Sequence, residues 1–491
     1  MEQLLEKTKA ELGRSVVLLL LLGLWGMIWL GIQPGSVRDV VNPGSFTDFL
    51  HGLRAASPFV AAGSAAIYAL VRILKRDKRR YFLFGPLALT AVYGLVGIAV
   101  SLRSPDTSAA LYWASLYLTV PLILLAATLS QDPLRQVERI IQFNWLIIGI
   151  GFAVFLIVGL NSLDFGQALL NPLDLLKCQQ AGNWFEHSSG ALRSTGVGRF
   201  AAVTGIISFS LVWKGNLRAI WSVAFFASLT LLLFTGARGS IVPFAVAVPV
   251  VFWLMGGKTA KIVASVGLVI FGSIILSTGI GGNFLSKCLL TETTAAQIEY
   301  LGLQSPTQSV TYSQTPSPTQ SVTSSQTPPG TDPSSPQDQV GPSNTEDDPS
   351  DSGFYTASGR TQIWAAGWKF IKLSPVLGYG FHGDRLVLGT HMHNSVLHAM
   401  IQTGLLGTIP FVGAILWAWY LLIATLRRLD RLGPMQKTTV IQAAGMLIFL
   451  SLRSLSESTG AFFGIDWLLL GPLLLYLQLV NSAAMTREED S

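Results

Sequence analysis

The chain has 491 residues, of which 50% are hydrophobic and only 12% charged, with a mean hydropathy of +0.50. Soluble domains carry about 25% charged residues, so this composition excludes an ordinary globular protein and points to a polytopic membrane protein. The net charge of +6 does not describe a nucleic-acid binder, because the basic residues alternate with apolar spans instead of pooling on one surface.

Residues 1–14 are polar, and the apolar run 15–32 that follows is long enough to cross roughly 30 Å of hydrocarbon. No small-residue cleavage site follows it, which predicts an uncleaved first helix. Further spans are predicted near 56–75, 81–101, 109–129, 141–160, 200–214, 219–234, 241–256, 260–280, 405–426, 437–453 and 461–480. The predicted fold class is an all-α polytopic membrane protein of about twelve transmembrane helices with one large extracytoplasmic loop.

Short loops rich in Lys and Arg set the expected orientation. Lys7, Lys9 and Arg14, the six basic residues of RILKRDKRR at 72–80, Lys214, Arg218, Lys258, Lys261, Arg427, Arg428, Arg431 and Lys437 all fall on one side of a twelve-span chain. That side is read as cytoplasmic, with both termini, so 161–199, 235–240, 281–404 and 454–460 are expected outside. The chain divides into an N-terminal membrane region at 1–280 (about nine helices), an extracytoplasmic loop at 281–404, and a C-terminal membrane region with its tail at 405–491 (about three helices). Cys178 and Cys288 both fall in loops read as outside; two cysteines exclude a disulfide framework or a Cys-rich metal site, and their positions do not decide between one bridge and two thiols.

Within the large loop, 305–352 is rich in Ser, Thr, Pro and Gln and holds a tandem repeat, SPTQSVTYSQTP then SPTQSVTSSQTP. Such a composition buries too little apolar surface to offset the entropy of ordering and predicts a disordered tether. The segment 358–404 is different, with four of the six histidines, two arginines and the Ser-Pro and Gly-Tyr-Gly breaks that fold a chain back on itself.

An arginine or histidine near a membrane is costly unless paired, hydrated or functional. Arg238 lies in TGARG between two apolar spans, where the glycines admit a bulky anion and a guanidinium can grip phosphate oxygens. Arg360 follows a natural N-cap, Ser358, at the start of a helix expected over 359–373, whose two tryptophans suit an interfacial position. His393 and Asn394 open the next helix, where an imidazole can act as a general base for a hydroxyl. Arg193 and Arg199, spaced around two glycines, form a further candidate anion cradle. Arg453 and Glu457 stand at i,i+4, a spacing that suits an ion pair, and Asp466 enters the last span. His391, His393 and His398 are metal-ligand types with Asp384 nearby, but 393 and 398 do not share a helical face, and no metal site is expected. No G-x-x-x-x-G-K-[ST] loop and no D-x-D pair is present, so neither a nucleotide nor a metal-bound nucleotide-sugar is expected as cofactor or donor.

Three motifs occur in order: TGARG at 235–239, SGRTQIWAAGWKFIKLSPVLGYG at 358–380, and HNSVLHAMIQTGLLG at 393–407. Together with about twelve spans and a large loop before the last three, they resemble the O-antigen ligase and polymerase superfamily of bacterial envelope proteins. The resemblance implies a fold of the GT-C type in the bacterial plasma membrane, with the active site on the extracytoplasmic face. It also implies transfer of a glycan from undecaprenyl diphosphate to a lipid or saccharide acceptor, without cofactor, metal or nucleic acid. The family's diphosphate-holding arginines fall on Arg238 and Arg360, and its acceptor-activating histidine on His393; Arg193, Arg199 and Asn394 are read as substrate-binding. The runner-up readings are a repeat-unit polymerase of the same superfamily and a small-solute or bicarbonate transporter.

Overall fold

The computed structural model describes residues 17–26, 44–74, 84–160, 194–213, 217–235, 237–257, 261–262, 265–266 and 360–489. Arg193, both cysteines and the Ser/Thr/Pro-rich repeat lie outside the described residues. Among the described residues the fold is all-helical, with no strand. In chain order the helices are α1 (Val17–Gly26), α2 (Phe46–Leu74), α3 (Pro86–Ser101), α4 (Thr107–Thr128), α5 (Pro133–Leu160), α6 (Ser194–Val212), α7 (Arg218–Phe234) and α8 (Arg238–Met255). They continue with α9 (Arg360–Leu373), α10 (Gly383–Leu388), α11 (Ser395–Arg427), α12 (Pro434–Arg453) and α13 (Ile465–Glu489).

Seven of these, α2, α4, α5, α6, α8, α11 and α13, are long and apolar enough to cross a membrane, and α1, α3 and α7 are shorter apolar helices. The chain is therefore a polytopic membrane protein. The hydropathy pattern explains where the helices lie, and local chemistry explains where they begin. Pro86 and Pro434 stand in the first turns of α3 and α12, where a missing N–H costs nothing. Asp106 caps α4 by accepting from Ala109 N at 3.0 Å, and Asn394 caps α11 by accepting from Leu397 N at 3.0 Å.

The packed centre is built on α13, which is buried along most of its length against α4, α5, α11 and α12. Trp467 stacks on Tyr117 with ring centroids 4.6 Å apart and donates to the Tyr117 carbonyl at 3.0 Å. Such a pair adds about 0.5–1.5 kcal/mol beyond its buried area. Polar side chains join further helices: Trp25 donates to Asn144, whose amide donates to Leu468 O at 2.8 Å.

α11 is broken at Gly404, which has φ 57 and ψ −160. The segment around Gly378 lies against the break and satisfies its freed backbone: Leu405 N donates to Pro375 O, Leu406 N to Val376 O, Tyr379 N to Ile401 O and Gly380 N to Gln402 O. A side chain at 404 would fall on the Val376 carbonyl. This pairing meets the rule that backbone in a membrane protein must be satisfied within the protein, and it pins the segment around 375–406 to the bundle.

The 360–373 helix departs from the interfacial reading in one respect. Trp364 turns inward and donates to Met392 O at 2.6 Å, while Ile363, Phe370 and Ile371 pack with Met392 and Ile401. Trp368 alone of the two tryptophans is exposed. The helix is thereby a wall of the site, fixed by the segment that carries His393.

Candidate functional site

The turn between α12 and α13 gathers the candidate residues. Arg238 and Arg360 are the first residues of α8 and α9, and His393 stands two residues before α11. All three helix starts meet this turn, so three positive dipole ends lie near one region, an arrangement that favours an anion.

Glu457 is the hub. Arg360 donates through Nη2 to Glu457 Oε1 at 3.1 Å and through Nη1 to Ser456 O at 2.7 Å. His393 Nδ1 lies 3.3 Å from the other carboxylate oxygen, Oε2. The space beside Gly239 is filled by Ser456 and Glu457, both 3.4 Å from where a Cβ would stand, so the first turn of α8 seats directly on the hub. Arg238 and Arg360 are close enough for each charge to act on the other. Burial pulls the Glu457 carboxyl up, but the hydrogen bond with His393 and the charges of Arg453 and Arg360 outweigh it and lower it to about 2.

His393 has φ 47, left-handed backbone that a non-glycine residue adopts at a cost of about 1–2 kcal/mol. The next residues hold it there. Asn394 caps α11 and donates to Leu455 O at 3.1 Å, and Ser395 donates to the Glu457 and Thr459 carbonyls at 3.0 and 2.8 Å. Both ends of the Asn394 amide are thus engaged within the fold.

A second, deeper charge cluster supports the turn. Arg453 is 2% exposed; its Nε lies 3.3 Å from Asp466 Oδ2, and its Nη1 donates to Gly239 O and Ser240 Oγ. Arg199 reaches the other oxygen of Asp466 at 3.3 Å. The structure therefore pairs Arg199 with a carboxylate of α13, and the Arg453 and Glu457 side chains form no ion pair with each other, although the Arg453 charge still acts on Glu457. The i,i+4 pairing fails because α12 ends at Arg453 and the chain turns there, leaving Glu457 to face Arg360 and His393.

A third constellation lies beside His393. Asp384, at the start of α10, is fully buried, and its Oδ2 lies 3.0 Å from both His391 Nδ1 and His398 Nδ1. No metal site is expected from the sequence, because residues 393 and 398 do not share a helical face. What assembles Asp384, His391 and His398 is the left-handed glycine at 389, which closes α10 and returns the chain toward α11. Glu457 is not among the residues that the sequence marks for the site; its only signal there is a carboxylate in a short polar turn between two apolar runs.

Among curated proteins, none matches the chain. Residues 223–412 match the family model described as O-Antigen ligase, a stretch that runs from α7 into α11 and contains Arg238, Arg360, His393 and Asn394. The match covers that stretch and not the whole chain, and it supports the resemblance of this membrane protein to the O-antigen ligase and polymerase superfamily.

Proposed function

We propose that the protein transfers a glycan from an undecaprenyl-diphosphate carrier to an acceptor hydroxyl on the extracytoplasmic face of the bacterial plasma membrane. The observation that carries this reading is the Glu457 hub, which holds a histidine on one oxygen and an arginine on the other beside Arg238.

The chemistry follows from the charges. A lipid diphosphate is already a good leaving group, so the protein has to stabilise the charge that develops on it rather than supply a nucleophile. Arg238 and Arg360 fill that role, with the diphosphate competing with Glu457 for the Arg360 guanidinium. No metal is needed at the diphosphate. Glu457 orients His393 through Nδ1, which leaves Nε2 to take the acceptor proton, and the same carboxylate stabilises the resulting imidazolium. In one in-line displacement the acceptor oxygen bonds to the anomeric carbon, the bond from that carbon to the diphosphate oxygen breaks with its electron pair, and the configuration inverts. Asn394 holds His393 in place, and Arg199 supports the turn through Asp466.

The test is turnover by the purified protein in detergent with undecaprenyl-diphosphate-linked glycan, candidate acceptors and no added magnesium. Release of undecaprenyl diphosphate with glycan on the acceptor, lost in Arg238→Ala, Arg360→Ala and His393→Ala, is the expected result. Full transfer by all three variants would overturn the assignment. The acceptor that works, a lipid-linked core sugar or a second repeat unit, separates ligase from polymerase.

A further inference from the structure

The Asp384, His391 and His398 cluster is not used by the proposed transfer, and its protonation pattern leaves it incomplete. The Gln402 amide is oriented by its surroundings: its nitrogen donates to Ala461 O at 3.2 Å and Tyr93 Oη at 2.8 Å, and its oxygen accepts from His382 N at 3.2 Å and His398 Nε2 at 2.8 Å. His398 therefore carries its proton on Nε2 and turns a bare Nδ1 toward Asp384. On the other side Arg385 donates to His391 Nε2 at 3.1 Å, which puts the His391 proton on Nδ1, aimed at Asp384 Oδ2.

Two buried atoms are left without a hydrogen-bond partner, Asp384 Oδ1 and His398 Nδ1. A carboxylate and an imidazole lone pair thus face each other at 3.0 Å inside the protein, at side-chain exposures of 0% and 1%. The contact is not aligned as a hydrogen bond, so a second proton on His398 would meet Asp384 as an ion pair only. A cation between the two resolves both vacant lone pairs at once.

We infer that Asp384, His391 and His398 form a site for a divalent transition-metal ion, bound through one carboxylate and two imidazoles. One donor atom from each residue lies within 4.8 Å of the others. Ligands about 2.0–2.1 Å from a tetrahedral zinc ion sit roughly 3.3 Å apart, close to the 3.0 Å from Asp384 Oδ2 to each histidine. Imidazole and carboxylate donors suit Zn2+ and its first-row neighbours, whereas Mg2+ and Ca2+ prefer all-oxygen sites. A cavity lined by Trp113, His382 and Phe462 opens on the cluster and gives the ion a way in. On binding, the His391 proton passes from Nδ1 to Nε2 and the exposed Arg385 side chain turns away from it, with no net release of protons. The ion ties α10 to the first turns of α11, on either side of His393, and takes no part in the transfer itself.

The experiment uses the full-length, tag-free protein in detergent, stripped with chelator, exchanged into buffer and titrated with Zn2+. Saturable uptake of one ion per chain, a higher melting temperature and, with Co2+ instead, the visible absorption of a four-coordinate nitrogen and oxygen site are expected. His391→Gln changes the most exposed of the three side chains, and it should weaken binding by at least the about 10–100-fold that loss of an outer-shell partner costs, as should Asp384→Asn. Absence of saturable uptake by the wild-type protein overturns the site. So does uptake that His391→Gln leaves unchanged, whatever the fate of the more buried Asp384→Asn variant.

Discussion

His393 and Glu457 are 64 residues apart in the chain, and their side chains meet at 3.3 Å, imidazole Nδ1 to carboxylate Oε2. The contact pairs the HN motif with the turn after α12, and it converts an exposed-looking histidine into an oriented one. Glu457 lies outside the stretch that matches the family model, so its part in the site is visible only in three dimensions.

Replacing Glu457 with Gln keeps the shape and removes the charge that orients and stabilises His393. Its kcat should fall about 100-fold or more, towards the loss expected for His393→Ala, with a smaller change in KM. The double variant should be little worse than either single one, because the two residues act as a unit. Steady-state rates on the four proteins settle this, and additive losses would break the pairing.

Arg360 should not tolerate lysine. Its guanidinium reaches Ser456 O and Glu457 at once from the head of α9, a fork that a single ammonium cannot reproduce. Arg360→Lys should therefore recover less than about a tenth of wild-type kcat/KM, a loss of over 1.4 kcal/mol in transition-state stabilisation. Recovery to near wild type would show that charge alone is needed.

Asp466→Asn should damage the fold before it damages the chemistry. The carboxylate answers Arg199 and Arg453 together, and removing one member of a buried ion cluster leaves uncompensated charge at a cost of about 3–5 kcal/mol. Thermal unfolding in detergent should show a clear drop in melting temperature. An unchanged melt would mean that the cluster contributes little.

Acid should remove the contribution of Glu457. Its carboxyl is lowered to about 2 in the folded protein from an ordinary value of 4.5, so the stabilisation is complete above pH 4.5 and is lost as the pH falls towards 2. The melting temperatures of wild type and Glu457→Gln should therefore differ by a constant amount from pH 5 to 7 and draw together as the pH falls from about 4.5 towards 2. A difference that persists at low pH would contradict the sign of the shift.

Much of this protein was legible in the amino-acid sequence, because hydropathy is a local property. Apolar runs mark where the helices α2 to α8 and α11 to α13 lie, although α2, α5 and α11 begin eight to ten residues before their apolar runs and α13 ends nine residues after its own. Glycine and arginine motifs at their ends marked Arg238, Arg360 and His393, which the structure places at three neighbouring helix starts. Pairing was not legible, since a charge finds its partner through the path of the backbone. Glu457 leaves Arg453 because α12 stops between them, and Arg199 meets Asp466 across 267 positions because α6 and α13 converge on one turn. In the same way the left-handed glycine at 389 and the break at Gly404 draw Asp384, His391 and His398 into one buried cluster. The sequence alone determined the membrane-embedded class and the chemical inventory; tertiary structure alone decided which charges meet, because that depends on turns whose geometry carries no local hydropathy signal.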